Sequence, residues 1–257
     1  MLPRIRLDTL VFERGLAETR TRACALIMAG QVLVDGMVAT KAGVTVSVHA
    51  EVSLTTPDHP YVGRGGVKLA HALDRLNIVV RNRMVIDIGA STGGFTDVLL
   101  QRGATSVAAL DVGHGQLAWK LRQDPRVVVL EGINARLLSP TMLPIEFRKV
   151  QLITIDVSFI SLRLILKVVP SFLRIDSDVI ALLKPQFEAG KTEVGRKGVI
   201  TDPQVHHRVI EEVLTAANEI GLERIAVTPS PITGAKGNKE FFLHMRPVVG
   251  MPHSSTH

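Results

Sequence analysis

From Arg83 onward, apolar runs alternate with helical stretches, and this alternation constrains the fold more than any other feature of the chain. The runs are "RMVIDIG", "SVAALDV", "VVVLEG", "QLITIDVSF" and "DVIALLKPQF", each ending in polar residues. Helical patterns lie between them at 96–101, 116–122 and 162–173. Near-continuous apolar strands joined by helices require a sheet covered on both faces, as in mostly parallel α/β architectures. A long helix over 202–220, then "RIAVTPS" and "EFFLHMR", complete the pattern. The expected fold class is therefore α/β, with a mostly parallel sheet over 66–248.

Residues 1–57 follow different rules. Leu7, Leu10, Val11 and Arg14 keep a helical period that stops at Gly15. Thr19 or Thr21 can cap a second helix that runs to Met28 and is stopped by Gly30. "QVLVDGMVA" sets two apolar runs around Asp35-Gly36, a strong hairpin signal, and "VTVSVHAEVSL" alternates like a strand pair. These features predict a small α+β module. The Pro- and Gly-rich "TTPDHPYVGRGG" marks a boundary, with a linker over 58–65, and 249–257 reads as a disordered tail.

Charge and composition narrow the partners. Thirty Lys and Arg against 24 Asp and Glu give a net charge of +6 and a pI near 9.8, which favours a polyanion. The lone Cys24 cannot form an internal disulfide, so a cytoplasmic setting is expected, with Cys24 as a small helix-packing residue. "MLPRIRLDTLVFERG" is broken by charges and does not read as a signal peptide. No stretch reaches the roughly 18 apolar residues of a membrane span, so a soluble protein with no membrane partner is expected. The nine histidines show no ligand spacing, so no metal is expected, and His206-His207 reads as a wet helix face.

In open α/β sheets, ligands bind beyond the carboxyl ends of the strands. "VIDIGASTGGFTDVLL" places Asp87, Gly89, Ala90, Ser91, Gly93 and Gly94 there. The order is G-x-x-x-G-G, not the G-x-G-x-x-G that seats a pyrophosphate. A carboxylate two residues before the first glycine repels a pyrophosphate but welcomes the ammonium of a methionine-derived ligand. The turn thus favours S-adenosylmethionine over NAD. Asp111, ending "VAALD", is placed for ribose hydroxyls, with a helix cap as its alternative. Asn134 could meet an adenine edge or serve only its loop, and Phe95 is expected to pack beneath the sheet.

Four ionisable residues stand at awkward places. Lys184 ends "VIALLK", where a strand tip strips water from an ammonium, and Asp156, ending "LITID", could pair with it. Glu240 opens "EFFLHM", and Lys68 lies on the helix "GRGGVKLAHALDRL". Taken singly, each could be a solvated charge.

Two resemblances organise these residues. "RLDTLVFERGLAETRTRACALIMAGQVLVDG" is similar to the S4 RNA-binding domain in its order of helix, Gly, Arg-rich second helix and "AGQVLVDG". Arg4, Arg6, Arg14, Arg20 and Arg22 cluster here, where phosphate contacts are expected, with Arg64 beginning a basic strip at the start of the second domain. The stretch 63–246 resembles the FtsJ-type, Rossmann-like methyltransferases. Their Lys-Asp-Lys-Glu tetrad falls on Lys68, Asp156, Lys184 and Glu240. "RGGVKLAHAL", "ALDVGHGQLAWKLR", "DVSFISL", "LLKPQFEAGK" and "GNKEFFL", with the S4-like front end, look like the TlyA family throughout.

That resemblance implies an S-adenosylmethionine-dependent ribosomal RNA cytidine 2′-O-methyltransferase. Its partners are then ribosomal RNA and ribosomal subunits, and Lys184 activates the ribose hydroxyl with help from the other three tetrad residues. "HPYV" before Gly63 and the short "PVVGMPHSSTH" end depart from the pattern of longer members. The competing expectations are a non-catalytic S4-type RNA-binding or assembly factor and, from the haemolysin name many members carry, a lytic toxin.

Overall fold

Strand β1 (Arg4–Arg6) runs directly into helix α1 (Leu7–Glu13) and opens the first of two units, Met1–Pro60 and Tyr61–His257. The computed structural model describes residues 3–17, 19–55, 59–190, 193–195 and 198–248. The expected tail over 249–257, residues 56–58 and Glu18 lie outside the described residues.

In the first unit, Gly15 has a φ of +70° just past α1, as a helix stop requires. Of the two candidate caps it is Thr19 that starts α2 (Arg20–Met28), its hydroxyl accepting from Arg22 N at 3.1 Å. Asp35 and Gly36, at φ +49° and +78°, turn β2 (Val32–Val34) into β3 (Met37–Ala39) with Val34 opposite Met37. The expected pairing within "VTVSVHAEVSL" is not formed. β4 (Thr45–Ser47) pairs with β1 and β5 (Val52–Leu54) pairs with β2, in two separate sheets. A tight turn in which Ala50 N donates to Ser47 O sends the two strands apart. Val52 can then join Val32, Leu7, Leu10, Val11 and Ile27 in one apolar core.

The second unit is a seven-stranded sheet in the order β11-β12-β10-β9-β6-β7-β8. Its elements are α3 (Gly65–Arg75), β6 (Met84–Ile88), α4 (Gly94–Gln101), β7 (Ser106–Leu110), α5 (Trp119–Arg122) and β8 (Val127–Leu130). They continue as β9 (Val150–Ile155), α6 (Leu162–Leu166), β10 (Leu173–Leu183), α7 (Pro203–Glu219), β11 (Leu222–Pro229) and β12 (Phe241–Pro247). Strands β6 to β10 run parallel to one another, and β12 runs antiparallel to both β10 and β11. This is the mostly parallel sheet the apolar runs predict.

Strand alternation sorts the core into two layers. Ile86, Ile153, Ile155, Leu183 and Leu243 pack with α6 and α7, while Val85, Leu152, Leu182 and Phe242 pack with α3 and α4. Phe95 is buried beneath the sheet as expected, its ring 6.1 Å from that of Phe242. Burying a side chain of this size stabilises by about 1.5–3 kcal/mol.

Several boundaries differ from the sequence expectation for physical reasons. The helix expected over 162–173 stops at Leu166, and a 3-10 turn over Val169–Phe172 carries Pro170, whose missing N–H cannot continue an α-helix. Tyr61 to Arg64, expected in a linker, belong to the second unit, where Val62 N donates to Asp97 at 2.8 Å. His206 is not on a wet face. Its ring is buried against Phe241, with Nε2 3.1 Å from Ile200 O, and only His207 is exposed. Among the described residues no helix is long and apolar enough to cross a membrane.

Candidate active site

The turn after β6 is built by close backbone approaches. Gly89 has a φ of +86°, and a Cβ there would lie 2.3 Å from Asp156 O at the end of β9. Gly93 has a φ of +95°, and a Cβ there would lie 2.2 Å from Leu121 Cδ1. Both positions therefore require glycine for conformation and for space. Gly89 N and Ala90 N both donate to Leu110 O, fixing the turn to the neighbouring strand. Gly94 opens α4, which has no side-chain cap at Gly93, and its first-turn residues are buried, with the Thr96 amide turned to the Asp87 carboxylate.

Asp111 ties the turn to the next loop. Its carboxylate accepts from Ser91 N and from Gly113 N, each at 2.8 Å, and it caps no helix. It is half-buried, and each oxygen keeps a lone pair for a further donor. Ser91 is exposed, with Oγ 3.2 Å from Gln116 Oε1. Asn134 is also exposed, but its Oδ1 caps the short turn Ala135–Leu137 through Arg136 N.

Asp87 corrects the sequence reading. It was expected to meet a ligand ammonium, yet it is completely buried. One oxygen accepts from Thr96 Oγ1 at 2.6 Å and the other from Thr154 Oγ1 at 2.8 Å. Burial pushes its carboxyl up to about 6, against the pull of those two hydroxyls. Asp87 thus braces β6, β9 and α4 beneath the turn instead of lining its open side.

The four tetrad residues meet on one edge and one face of the sheet. Asp156 follows β9, and Lys184 follows β10. Glu240 precedes β12, and the register Leu183↔Phe241 sets Lys184 and Glu240 one step beyond it, side by side. Lys68 approaches from α3. Two ion pairs result: Lys184 Nζ with Asp156 Oδ1 at 2.6 Å, and Lys68 Nζ with Glu240 Oε2 at 2.6 Å. The first is an ion contact outside hydrogen-bond angles, while Lys184 does donate to Ser158 Oγ at 2.8 Å. All four are at least four-fifths buried except Asp156, whose side chain is 21% exposed. A Cβ on Gly234 would lie 1.8 Å from Glu240 Oε1, so a side chain at residue 234 would push this carboxylate from its present position.

The candidate RNA contacts are all exposed. In the first unit, Arg6 and Arg20 converge on Asp8, Arg4 donates to Thr45 O and Arg14 to Val48 O, while Arg22 lies in the first turn of α2. Arg64, in the second unit, precedes α3 and reaches Thr233 O at 3.4 Å.

Sequence reading missed the loop after Asp156. Phe159 is 91% exposed at a φ of +63°, an uncommon conformation for a bulky residue, and its ring lies 5.1 Å from that of Phe187. Glu188, buried, accepts from Ser161 Oγ and Leu162 N at 2.6 Å each and ties this loop to the one after Lys184. The signal available was a Phe falling outside any apolar period, three residues after a candidate catalytic Asp. A cavity of about 530 Å³ lined by Pro203, His206, Pro231, Ile232 and Phe241 adjoins Glu240, but from the α7 side, whereas the Glu240 carboxylate turns toward α3.

Comparisons agree with this architecture. Residues 61–247 match the FtsJ-like methyltransferase family and residues 5–52 the S4 domain. The chain is 46% identical over 247 residues to the 16S/23S rRNA (cytidine-2'-O)-methyltransferase TlyA of Mycobacterium tuberculosis (strain ATCC 25618 / H37Rv), covering 96% of this chain and 91% of that protein. It is 39% identical to Hemolysin A of Brachyspira hyodysenteriae, over 93% of this chain and 99% of that one. A solved structure of a hemolysin-named protein from Streptococcus thermophilus is 42% identical, with a TM-score of 0.75 over 97% of this chain and 90% of that one. An S-adenosylmethionine dependent methyltransferase from Mesorhizobium loti, 16% identical, shares the fold at a TM-score of 0.54, over 72% of this chain and all of that one.

Proposed function

The chain belongs to the TlyA family of FtsJ-like methyltransferases with an N-terminal S4 domain, and on that premise we propose that it methylates the 2′-hydroxyl of a cytidine in ribosomal RNA. The observation that carries this reading is the meeting of Lys68, Asp156, Lys184 and Glu240 on one sheet edge beside the glycine turn. With ribosomal RNA as substrate, the reading includes action in the cytoplasm.

The turn suits S-adenosylmethionine. Gly89 and Gly93 let the turn close against Asp156 and Leu121, which leaves Ser91 exposed at its tip, and Asp111 offers lone pairs to ribose hydroxyls. Ser91 in the turn and Asn134 in the loop after β8 are exposed polar groups. When bound there, S-adenosylmethionine supplies an electrophilic methyl group on a sulfonium.

The chain's residues then have to orient and activate the ribose oxygen. Lys184, held by Asp156 and Ser158, turns an N–H bond not used on Ser158 toward that oxygen and stabilises the negative charge growing on it. Asp156 is the adjoining carboxylate through which Lys184 can shed a proton and receive the one leaving the hydroxyl. Lys68 and Glu240 form a buried pair that holds α3 against the start of β12 and adds a second fixed positive charge. Positioning dominates the rate, because the transfer itself needs no covalent help from the protein. Phe159 offers an exposed ring on which a target base can stack.

The test is to incubate the pure protein with S-adenosylmethionine and separated ribosomal subunits and to map ribose methylation by mass spectrometry. A 2′-O-methylcytidine on either subunit is expected. Its absence from both overturns the proposal.

A further inference from the structure

In the first unit, one buried carboxylate holds two exposed guanidinium groups. Asp8 is 2% exposed, while the side chains of Arg6 and Arg20 are 50% and 53% exposed. Arg6 donates from Nε at 3.0 Å and Nη2 at 2.8 Å, one bond to each Asp8 oxygen. Arg20 donates from Nε at 3.3 Å and Nη2 at 3.2 Å, both to Oδ2. Thr9 N closes on Oδ1 at 2.9 Å, and Cys24 Sγ lies 3.5 Å from Oδ2. The arrangement joins β1, α1 and α2, so both arginines are fixed by the body of the unit.

We propose that Asp8 is a positioning residue that presets Arg6 and Arg20 as a two-armed clamp for a phosphodiester of the RNA backbone. Two cations sharing one carboxylate stand close enough to repel, and the buried anion offsets that repulsion without facing the ligand. Each guanidinium spends two of its five N–H bonds on Asp8 and keeps three for another oxyanion. Fixing these long side chains in advance removes ordering entropy from the binding step. The hydrogen bond from Arg6, above all, keeps the Asp8 carboxyl well below the usual range despite its burial, so the bridge is intact at physiological pH. Arg4 and Arg14 differ, because each leans on a backbone carbonyl and, among the described residues, shares no counter-ion.

This inference rests on the RNA-methyltransferase reading, and it makes a counter-intuitive demand. Asp8→Asn adds one positive charge, so simple electrostatics expects tighter RNA binding and a steeper salt dependence. A clamp expects the reverse. Binding of the full-length protein to separated ribosomal subunits is measured by filter retention between about 50 and 200 mM salt, with methylation kinetics alongside. For D8N, affinity should fall about tenfold and the salt slope should shrink by about one. KM for subunits should rise while kcat and S-adenosylmethionine affinity hold.

Arg6→Lys and Arg20→Lys keep the charge and the buried carboxylate but lose the fork. They should each weaken binding comparably, and adding D8N to either should cost little more. D8N binding at least as tightly as wild type with a steeper slope overturns the clamp, as do R6K and R20K proteins that bind like wild type. If D8N unfolds the first unit, the two lysine variants decide alone. Wild-type protein that neither binds nor methylates subunits overturns the underlying reading instead.

Discussion

Lys68 and Glu240, 172 residues apart in sequence, form an ion pair at 2.6 Å with their side chains only 12% and 2% exposed. A pair this buried contributes little net stability, yet removing one partner strands the other charge at a cost of about 3–5 kcal/mol. Glu240→Gln and Lys68→Met should each destabilise the second unit toward the lower end of that range. The double variant should lose less than the sum, by about 1–3 kcal/mol. Urea unfolding followed at the single tryptophan, Trp119, which lies in this unit, measures the cycle. Additive losses would mean that the pair does not couple α3 to β12.

Lys184 is held from two sides, by Asp156 and by Ser158 Oγ at 2.8 Å. Lys184→Ala should lower kcat by about 10²–10⁴, the range for losing a group that assists proton transfer, while S-adenosylmethionine affinity stays within twofold. Ser158→Ala removes one hydrogen bond to a charged group, worth about 1.5–3 kcal/mol, and should lower kcat by roughly ten- to a hundredfold. Single-turnover methylation with isothermal titration of the cofactor separates the two effects. Equal losses in kcat and in cofactor affinity would assign both residues to the cofactor site.

Asp87 makes the stability of this unit depend on pH in the sense opposite to most carboxylates. Its carboxyl is pushed up from 3.8 to about 6 by burial, so the folded protein binds this proton more tightly than the unfolded chain does. The stabilisation is full below about pH 4 and is lost as pH rises through about 6. Across that window the loss is about 3 kcal/mol. Asp87→Asn removes this dependence, apart from a constant cost for mismatching one of the two threonine hydroxyls. The stability difference between variant and wild type should therefore move toward the variant by up to that amount from pH 4 to pH 7. Urea unfolding across pH 4–8 checks it, and a difference independent of pH would show that Asp87 is not a buried titrating acid.

The parts legible in the sequence were those carried by local pattern. Apolar runs ending in polar residues announced the strands and placed Asp156 and Lys184 at their tips. The period-2 alternation even fixes the face, since Asp87, Asp156, Lys184 and Glu240 continue the rows that pack toward α3 and α4. What escaped depends on partners distant in sequence. Thr154, 67 residues from Asp87, holds one oxygen of that buried carboxylate. The two strands in "VTVSVHAEVSL" pair with β1 and β2, not with each other, so proximity in sequence does not choose their partners. His206 is buried because β12 delivers Phe241 to it, which no helix period reveals.

Phe159 separates function from stability most sharply. At 91% exposure its ring buries little beyond a tilted contact with Phe187, and its φ of +63° is disfavoured for a side-chain-bearing residue by about 1–2 kcal/mol. Phe159→Gly should therefore leave the protein as stable as wild type or more stable by about 1 kcal/mol. If the ring is the platform for the target base, the same variant forfeits about 1–3 kcal/mol of stacking and should lower kcat/KM by roughly five- to a hundredfold. Phe159→Trp keeps a stacking face and should retain most activity, whereas Phe159→Leu keeps the bulk without the face and should not. Thermal melts beside methylation kinetics on ribosomal subunits read both quantities. Leu and Trp variants of equal activity would show that the position needs only an apolar side chain and that no base stacks there.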